Sequence, residues 1–304
     1  MSSEKFKPAY LHPKYWLSWL MVGFTWLLAQ IPRPWQSGIS DWVARRLVNS
    51  RNSRIRTIRR NIDLCFIEKS EAEREKLVVA NLSSSMLMLF DLVNMVWQLA
   101  TTHTEQVNVI GEDYLAQALS KNKPLLLVSG HFTPLFQACM KLALLRSYNA
   151  IYRRLDNPIL ESQLYQRGIQ KYPITVIHRK DIRDMLAALA GGGTTLIVPD
   201  QDFGVKRGGF ISFFGIPTAT ISTIPQYASQ TDANVLLFSC YREGDACVLK
   251  FEPVFDNYPS GDDMADTRLW SDWLEVKIRE HPADYLWMHK RFKTRPEGEP
   301  SLYR

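Results

Sequence analysis

The fold class of this chain is decided by residues 125–139, LLLVSGHFTPLFQAC. The aliphatic run indicates a buried β-strand that ends by Gly130, and a helix is expected from about Pro134, because proline suits the first turn of a helix. His131 then lies between the end of a strand and the start of a helix. There the imidazole could serve as a general base beside N–H groups that stabilise an oxyanion, or it could be a structural histidine.

Short β-rich runs alternate with helical stretches on both sides of this segment. Such alternation predicts βαβ units and an α/β fold, with a mostly parallel or mixed central sheet flanked by helices. Two late runs, 235–241 and 247–254, are joined through Arg-Glu-Gly-Asp, which favours an antiparallel hairpin at one edge of the sheet. The predicted strands are 107–110, 125–129, 150–152, 174–177, 195–198 and 235–241.

The first hundred residues are predicted to be mainly helical. Apolar residues recur at helical spacing among many arginines over 38–63, which is typical either of amphipathic helices near anionic headgroups or of a solvated basic face. A further helix is expected over 70–99, where Ser70 precedes a glutamate-rich first turn that suits the helix dipole.

The chain opens with a candidate membrane-anchoring segment. Residues 15–31, YWLSWLMVGFTWLLAQI, carry no charge and include three tryptophans, which favour membrane interfaces. Because the run is at the lower limit for crossing a bilayer, it could span, lie in the interface or be a buried helix. No small-residue cleavage site follows, so a signal peptide is disfavoured. We predict an anchoring segment over 1–35 and an α/β domain over 36–304.

Bulk composition limits the partners. The net charge of +6 and the pI near 9.1 favour an anionic partner, which could be a membrane surface, a phosphorylated lipid, an acidic protein or a nucleic acid. No recognised nucleic-acid motif accompanies the charge, so nucleic acid is not expected as a partner. The four cysteines show no CxxC or metal-ligand spacing, so neither a disulfide framework nor a metal site is predicted.

Charged residues cluster at two further strand ends. Arg179 and Arg183 lie at the entry to a predicted helix, where they could grip phosphate or simply form a surface. Asp200 and Asp202 follow a buried strand, where they could orient a base, bind a metal or cap a turn.

Two later segments complete the set of candidates. Residues 213–222, FFGIPTATIS, could form an apolar loop that lines an acyl channel before a helix begins near Ser222. Residues 285–300, YLWMHKRFKTRPEGEP, mix aromatic and basic side chains and could meet a membrane, an acidic protein or nucleic acid.

In this order the segments resemble the late acyltransferases of bacterial lipid A biosynthesis, the lauroyl and myristoyl transferases of the lysophospholipid acyltransferase superfamily. The resemblance covers nearly the whole chain. It is carried by YLHPKYWLSWL, RRNIDLCF, SGHFTPL, RRLDNPILE, HRKDIRDMLAAL, VPDQDFG, FFGIPTA and YLWMHKRFKTRPEGEPSLY.

The resemblance implies a fold like that of glycerol-3-phosphate acyltransferase and attachment to the cytoplasmic face of the inner membrane. It also implies transfer from acyl-acyl carrier protein, as co-substrate without a further cofactor, to a hydroxyl of a lipid A precursor. The family motif is a histidine followed, after four residues, by Asp or Glu. Here His131 is followed at that spacing by Phe136, so the carboxylate that would orient the imidazole is missing.

Three readings of this departure stay open: another acid such as Asp200 or Asp202 takes the role, His131 works unaided, or the chain is an impaired paralogue that binds lipid or carrier protein. The leading hypothesis makes His131 the base, with Asp200 and Asp202 as further catalytic candidates. The predicted substrate-binding and carrier-docking residues are Arg153, Arg154, Arg179, Arg183, Lys206 and Arg207.

Overall fold

The computed structural model of the protein describes residues 7–253, 255 and 257–303. Residues 1–6 of the predicted anchoring segment and residue 254 of the predicted hairpin lie outside this range. The first part of the chain is helical, as predicted. Two 3-10 turns, Pro8–Leu11 and Pro13–Tyr15, precede five helices: α1 Trp16–Ala29, α2 Arg33–Leu47, α3 Ser53–Cys65, α4 Glu71–Trp97 and α5 Ala100–Glu105.

The predicted strands are confirmed and form a mostly parallel central sheet. The strands are β1 Val107–Ile110, β2 Leu125–Val128, β3 Tyr148–Tyr152, β4 Ile174–His178, β5 Thr194–Ile197, β6 Gly208–Phe213, β7 Ile216–Ile221, β8 Asn234–Glu243 and β9 Ala246–Phe251. Seven of them form one sheet in the order β1-β9-β8-β2-β5-β3-β4, and β6 with β7 forms a separate ribbon. All four residues of β2 are buried, as expected for a central parallel strand covered on both faces.

Helices flank the sheet. They are α6 Glu112–Ser120, α7 Leu135–Leu145, α8 Pro158–Leu160, α9 Arg167–Ile169, α10 Ile182–Ala190, α11 Thr223–Thr231 and α12 Asp263–Glu280, with a π-helical turn at Glu161–Gln166 and a 3-10 turn at Pro282–Asp284. Helix α7 contacts β1, β8 and β9 and also touches α4 and α5, whereas α10 and α11 contact each other and strands of the same sheet. The α/β class inferred from the alternation is confirmed.

The hairpin of β8 and β9 is antiparallel, as predicted, but its position at the sheet edge is wrong. Strand β1 pairs in parallel with β9, from Val107 opposite Cys247 to Ile110 opposite Lys250. The edge is therefore β1. The sequence predicts β1 as a strand, but it carries no signal for the long-range pairing of β1 with β9.

Helix α4 is the long helix of the N-terminal part and begins with the predicted cap. The Ser70 hydroxyl accepts from the backbone N–H of Glu73, and the Glu73 carboxylate accepts from the backbone N–H of Ser70, which completes a capping box. Among the described residues, α4 is the one helix long and apolar enough to cross a membrane. Half of its most apolar window is buried against the rest of the protein, and α1, α2 and α3 all contact it. It is built as a core helix.

The predicted apolar run forms α1, which has 14 residues. At a rise of about 1.5 Å per residue it is about 21 Å long, short of the roughly 30 Å hydrocarbon core of a bilayer. One side of α1 faces the protein: the Ser18 hydroxyl accepts from Asn157 Nδ2 at 2.8 Å, and Thr25 Oγ1 accepts from Trp97 Nε1 at 3.0 Å. Large apolar side chains on the other side are exposed: Trp16, Leu17, Leu20, Met21, Phe24 and Leu27.

The predicted division at residues 35 and 36 lies in the first turn of α2 and stays a prediction. Arg33, which follows the apolar run closely in sequence, is nearly buried and pairs with Asp91 of α4 at 2.7 Å. Arg242 of β8 reaches the other oxygen of the same carboxylate at 2.6 Å. Burial disfavours the charge of Asp91, but the two guanidinium groups outweigh it and lower its pKa.

Candidate active site

The sheet register brings His131 and Asp200 together. Strands β2 and β5 pair in parallel with Val128 opposite Ile197, and the Ser129 N–H donates to the Ile197 carbonyl at 3.3 Å. His131 follows Val128 by three residues, and Asp200 follows Ile197 by three residues. Both side chains therefore emerge at the carboxyl ends of adjacent central strands, where ligands bind in open α/β sheets.

Asp200 holds His131 at two points. Its carboxylate contacts the ring Nδ1 of His131 through Oδ1, and Oδ2 accepts from the backbone N–H of His131 at 2.9 Å. The hydroxyl of Tyr285 donates to the same Oδ2 at 2.8 Å. The Asp200 residue is only 1% exposed, so this buried carboxylate is fully engaged in fixing one ring orientation and one tautomer.

The electrostatics favour an ion pair. Burial alone would lower the pKa of His131, but the Asp200 charge and the hydrogen bond to it prevail and raise that pKa above its ordinary value. Burial likewise opposes ionisation of Asp200, yet the charge of His131 and the hydrogen bonds from His131 and Tyr285 lower the pKa of Asp200 to about 2. The carboxylate is therefore ionised at neutral pH, and it stabilises an imidazolium.

The remaining ring nitrogen of His131 is the one available for chemistry. The side chain is 31% exposed, and its Nε2 lies 3.4 Å from the side-chain amide of Gln201. The backbone at Gly130, just before His131, is packed too closely for a side chain, since a Cβ there would lie 2.5 Å from Leu274 Cδ1 and 3.3 Å from a ring carbon of Phe132. An imidazole held in this way can accept a proton at Nε2 while Nδ1–H faces the carboxylate.

His131 lies on the wall of an apolar cavity of about 520 Å³. A cavity of this size is typical of a site for one small or elongated ligand. Its lining comes from three regions and several single residues. These are α4 (Met88, Leu92, Val93, Met95, Val96), the segment from β2 into α7 (Phe132, Leu135, Phe136, Cys139, Met140), β3 and the turns after it (Tyr148, Ala150, Ile151, Tyr152, Leu155, Leu164, Tyr165, Ile169), and single residues Thr25, Ile174, Leu196, Val198 and Leu286.

Phe136, at the position of the family carboxylate, lines this cavity from the first turn of α7. It contributes apolar surface, and the Nδ1 atom of His131 is occupied by Asp200 instead. Among the hypotheses for the missing carboxylate, this geometry agrees with the one in which Asp200 takes the orienting position.

Asp202 is directed elsewhere. Its two oxygens accept from the backbone N–H and hydroxyl of Thr294, at 2.6 and 2.8 Å, and from the Gly204 N–H at 2.9 Å. Its own N–H donates to His289 Nε2 at 2.9 Å. These bonds hold a turn and the C-terminal segment, whereas Asp200 contacts His131.

The predicted arginines lie at the same edge of the sheet and are exposed. Arg153 and Arg154 follow β3, Arg179 follows β4 with its N–H on the Tyr152 carbonyl at 3.0 Å, and Arg183 lies in α10. Arg153 is 3.7 Å from Asp156, and Arg154 is 3.9 Å from Glu161. The pair of Arg153 with Asp156 is exposed on both sides and therefore weak, so the Arg153 guanidinium can turn to a phosphorylated ligand, whereas Glu161, the partner of Arg154, is buried.

The expectation that residues 213–222 line an acyl channel is wrong. They form the turn between β6 and β7 and the strand β7, while Phe213 and Phe214 are buried against aromatic side chains that include Phe292 and Trp287. The ribbon is part of the core and lies outside the cavity lining. The helix expected near Ser222 is confirmed as α11.

The aromatic and basic segment 285–300 is internal only in part: Tyr285, Trp287, Arg291 and Phe292 are buried, whereas residues 297–300 are exposed. Arg291 is 2% exposed and donates to the Ala219 carbonyl at 2.6 Å and to Thr220 Oγ1 at 2.8 Å. Tyr285, which contacts Asp200, was not among the predicted site residues. The only sequence signal for it was the aromatic character of this segment, which had been attributed to the surface.

Among the residues that the structure describes, no group of three His, Cys, Asp or Glu side chains is placed to hold a metal ion. The four cysteines are buried thiols, and Cys139 borders the cavity. Burial raises the pKa of the Cys139 thiol to about 12, which leaves it protonated and a poor nucleophile.

Comparison with known proteins agrees with the resemblance. The sequence model of the family described as bacterial lipid A biosynthesis acyltransferase matches residues 3–294. The lipid A biosynthesis lauroyltransferase of Escherichia coli (strain K12) is 31% identical over 305 residues, 98% of each chain. The palmitoleoyltransferase of that organism is 31% identical over 306 residues, again 98% of each chain, and its myristoyltransferase is 23% identical over 304 residues, 99% of this chain and 94% of that protein. The chain therefore belongs to the bacterial lipid A biosynthesis acyltransferase family.

Proposed function

We propose that this protein transfers a fatty acyl chain from acyl-acyl carrier protein to a hydroxyl of a lipid A precursor, with His131 as the base and Asp200 as the residue that orients it. The observation that carries the proposal is the buried Asp200 carboxylate on both Nδ1 and the backbone N–H of a histidine at the wall of an apolar cavity. The proposed base, the proposed orienting acid and a cavity with room for a hydrocarbon chain all lie at the carboxyl ends of the parallel strands.

The transfer follows from that arrangement. The acceptor hydroxyl gives its proton to Nε2 of His131 as its oxygen attacks the thioester carbonyl, and the imidazolium is stabilised by Asp200. The C–S bond then breaks, and the carrier thiolate leaves and takes the proton from His131. The ester is formed, the imidazole is neutral again, and the step needs no further co-reactant.

The exposed cations suit the two anionic substrates. Arg179 and Arg183 lie near the carboxyl ends of the parallel strands, as His131 does, and there they can hold a phosphate of the acceptor. Arg153, Arg154, Lys206 and Arg207 are exposed as well and can attract the acidic carrier protein.

We propose attachment to the inner membrane at its cytoplasmic face, and the exposed apolar side of α1 supports a membrane contact. Apolar residues on this side, together with Trp35 and Trp42 of α2, form what we call the N-terminal apolar face. Tryptophan and aliphatic side chains on a helix too short to span are typical of a segment that lies in the interface. We propose that the protein rests on the membrane through this face.

The alternative is an impaired paralogue that binds lipid or carrier protein, a hypothesis that depends on Phe136 at the position of the motif carboxylate. The contact of the Asp200 carboxylate with His131 weakens this hypothesis. Phe136→Glu separates the two readings. The proposal predicts no gain in turnover, since the new carboxylate would enter an apolar cavity, whereas an impaired enzyme would gain activity.

The direct test is transfer from acyl-acyl carrier protein to a lipid A precursor by the full-length protein in lipid vesicles. His131→Ala should abolish transfer. Asp200→Asn should lower turnover by about 10⁴-fold, as the same change of the orienting acid does in triad enzymes. Asp232→Asn, at an exposed position, is the matched control. Absence of transfer by the wild type would refute the proposed function, and full activity of Asp200→Asn would refute the assigned pair.

A further inference from the structure

We propose that the amino end of β3 and the second turn of α7 form the floor of the cavity, and that this floor sets the length of the acyl chain that the protein transfers. The floor is defined by Tyr148, Met140 and Ile174, with Met95 of α4 beside it. The inference deepens the proposed function and rests on it, since it takes the thioester carbonyl to lie at His131.

The cavity has a direction. Strand β3 runs towards the edge of the sheet that carries His131, and Tyr148, Ala150, Ile151 and Tyr152 along it line the cavity. Four residue steps at about 3.3 Å separate Tyr148 from Tyr152, which gives a depth of about 13 Å. The lining residues near the His131 edge, Phe136 and Leu155, are partly exposed, whereas Tyr148 and Met140 at the other end are buried.

The floor is held in place by several contacts. Helix α7 leads away from His131 and lines the cavity at Leu135 and Phe136 and, one turn deeper, at Cys139 and Met140. At that second turn the Tyr148 hydroxyl donates to the Cys139 carbonyl at 3.0 Å. Ile174 is the cross-strand partner of Tyr148 in β4. The Tyr148 ring has a fixed hydroxyl and is packed against two strands and a helix. The terminal methyl group of an acyl chain therefore cannot displace it without a large cost in free energy.

The occupant that fits is the donor chain. In the donor the reacting carbonyl is at the end of the chain, so a cavity that begins at His131 and closes at Tyr148 receives the whole chain in one direction. A hydroxyl on the acceptor that lies within a chain needs room on both sides of the reacting atom. The cavity lining is almost entirely apolar, as a saturated chain requires.

Three substitutions change the depth in opposite directions. Met140→Ala removes part of the floor and should favour longer chains. Ala150→Leu fills the middle of the cavity and should favour shorter chains. Gly168→Ala acts from behind the wall, because a Cβ at Gly168 would lie 2.7 Å from Met95 Cε, and the flexible Met95 side chain must then move. Space is available on the cavity side, so this variant should also favour shorter chains.

The measurement is competition among decanoyl, lauroyl, myristoyl and palmitoyl thioesters of acyl carrier protein, read as ratios of kcat/KM. One methylene in an apolar pocket changes such ratios by about 10- to 200-fold, so we expect shifts of at least about tenfold between neighbouring donors. Met185→Ala is the matched control, because it removes the same atoms as Met140→Ala. Met185 is fully buried in α10 and lies outside the cavity lining. This control should lower stability without changing chain preference.

A second readout separates this inference from the proposed function. Binding of the corresponding free fatty acids is measured by displacement of a fluorescent fatty acid from the wild type and each variant. If the wild type transfers no acyl group but Met140→Ala binds longer acids better, the function is wrong and the floor is right. If folded Met140→Ala and Gly168→Ala keep wild-type preference in both experiments, the floor does not measure the chain and the inference is overturned.

Discussion

The two ends of this chain are both rich in aromatic residues and have opposite surroundings. The N-terminal apolar face and the C-terminal tail, residues 285–303, both contain tryptophan. Yet Trp35 is 71% exposed and Trp287 is 1% exposed. A tryptophan in an aromatic-rich terminal segment is therefore no guide by itself to a membrane contact.

The difference lies in how the backbone of each segment is satisfied. Asn61 of α3 donates to the carbonyls of Trp287 and His289 at 2.7 and 2.8 Å, and Asn81 of α4 donates to the carbonyl of Tyr285 at 2.7 Å. The tail is irregular, so it needs such partners to enter the core. Helices α1 and α2 satisfy their own backbones and can leave apolar side chains outside.

The largest expected effect is on the tail. Trp287→Ala should lower the free energy of unfolding by about 3 to 5 kcal/mol, because it empties a buried site packed against Phe66, Phe214 and Tyr285. Trp35→Ala should change it by less than about 0.5 kcal/mol. Denaturant unfolding of both variants makes the comparison, and equal losses would contradict the contrast between the two ends.

The converse experiment concerns membrane binding. Leu20→Ser with Phe24→Ser should weaken binding to anionic vesicles by about 3 kcal/mol, roughly 100-fold, because two large apolar side chains no longer enter the interface. Vesicle sedimentation measures the loss, and stability should change little. Point substitutions are preferable to deletion of residues 1–32, because the other side of α1 contacts α4 and borders the cavity at Thr25. Undiminished vesicle binding would refute attachment through this face.

A smaller effect is expected from the residue that secures the tail. Asn61→Ala removes both donors to the tail carbonyls and should cost about 1 to 3 kcal/mol of unfolding free energy, the penalty for buried acceptors left without partners. Asn108→Ala, at an exposed position in β1, is the matched control. A loss no larger than that of the control would show that the tail is held by its aromatic packing alone.

The smallest effect links the tail to the chemistry. His131 must be neutral at Nε2 to accept a proton, so activity should fall as pH drops through its raised pKa. Tyr285→Phe removes a donor from Asp200, which concentrates the carboxylate charge and raises the pKa of His131 further. The acid limb of kcat/KM should therefore move to higher pH. A limb that stays in place, in a folded variant, would make Tyr285 a packing residue only.

The sequence by itself determined the α/β class, the positions of the strands of the central sheet, and the cap at Ser70. These features depend on local pattern: buried aliphatic runs, turn residues and capping chemistry act over a few neighbouring residues. The family motif also showed locally that the usual carboxylate is replaced by Phe136.

Only the tertiary structure decided which acid lies against His131. Asp200 and Asp202 are equivalent in a reading of the chain, and the parallel register of β2 with β5 brings Asp200 to His131 while Thr294 takes Asp202. The same holds for the cavity, whose walls come from helices and strands far apart in sequence, and for the tail, whose burial depends on Asn61 and Asn81 more than 200 residues earlier. Long-range pairing chooses among locally equivalent residues, and that choice is absent from any short stretch of sequence.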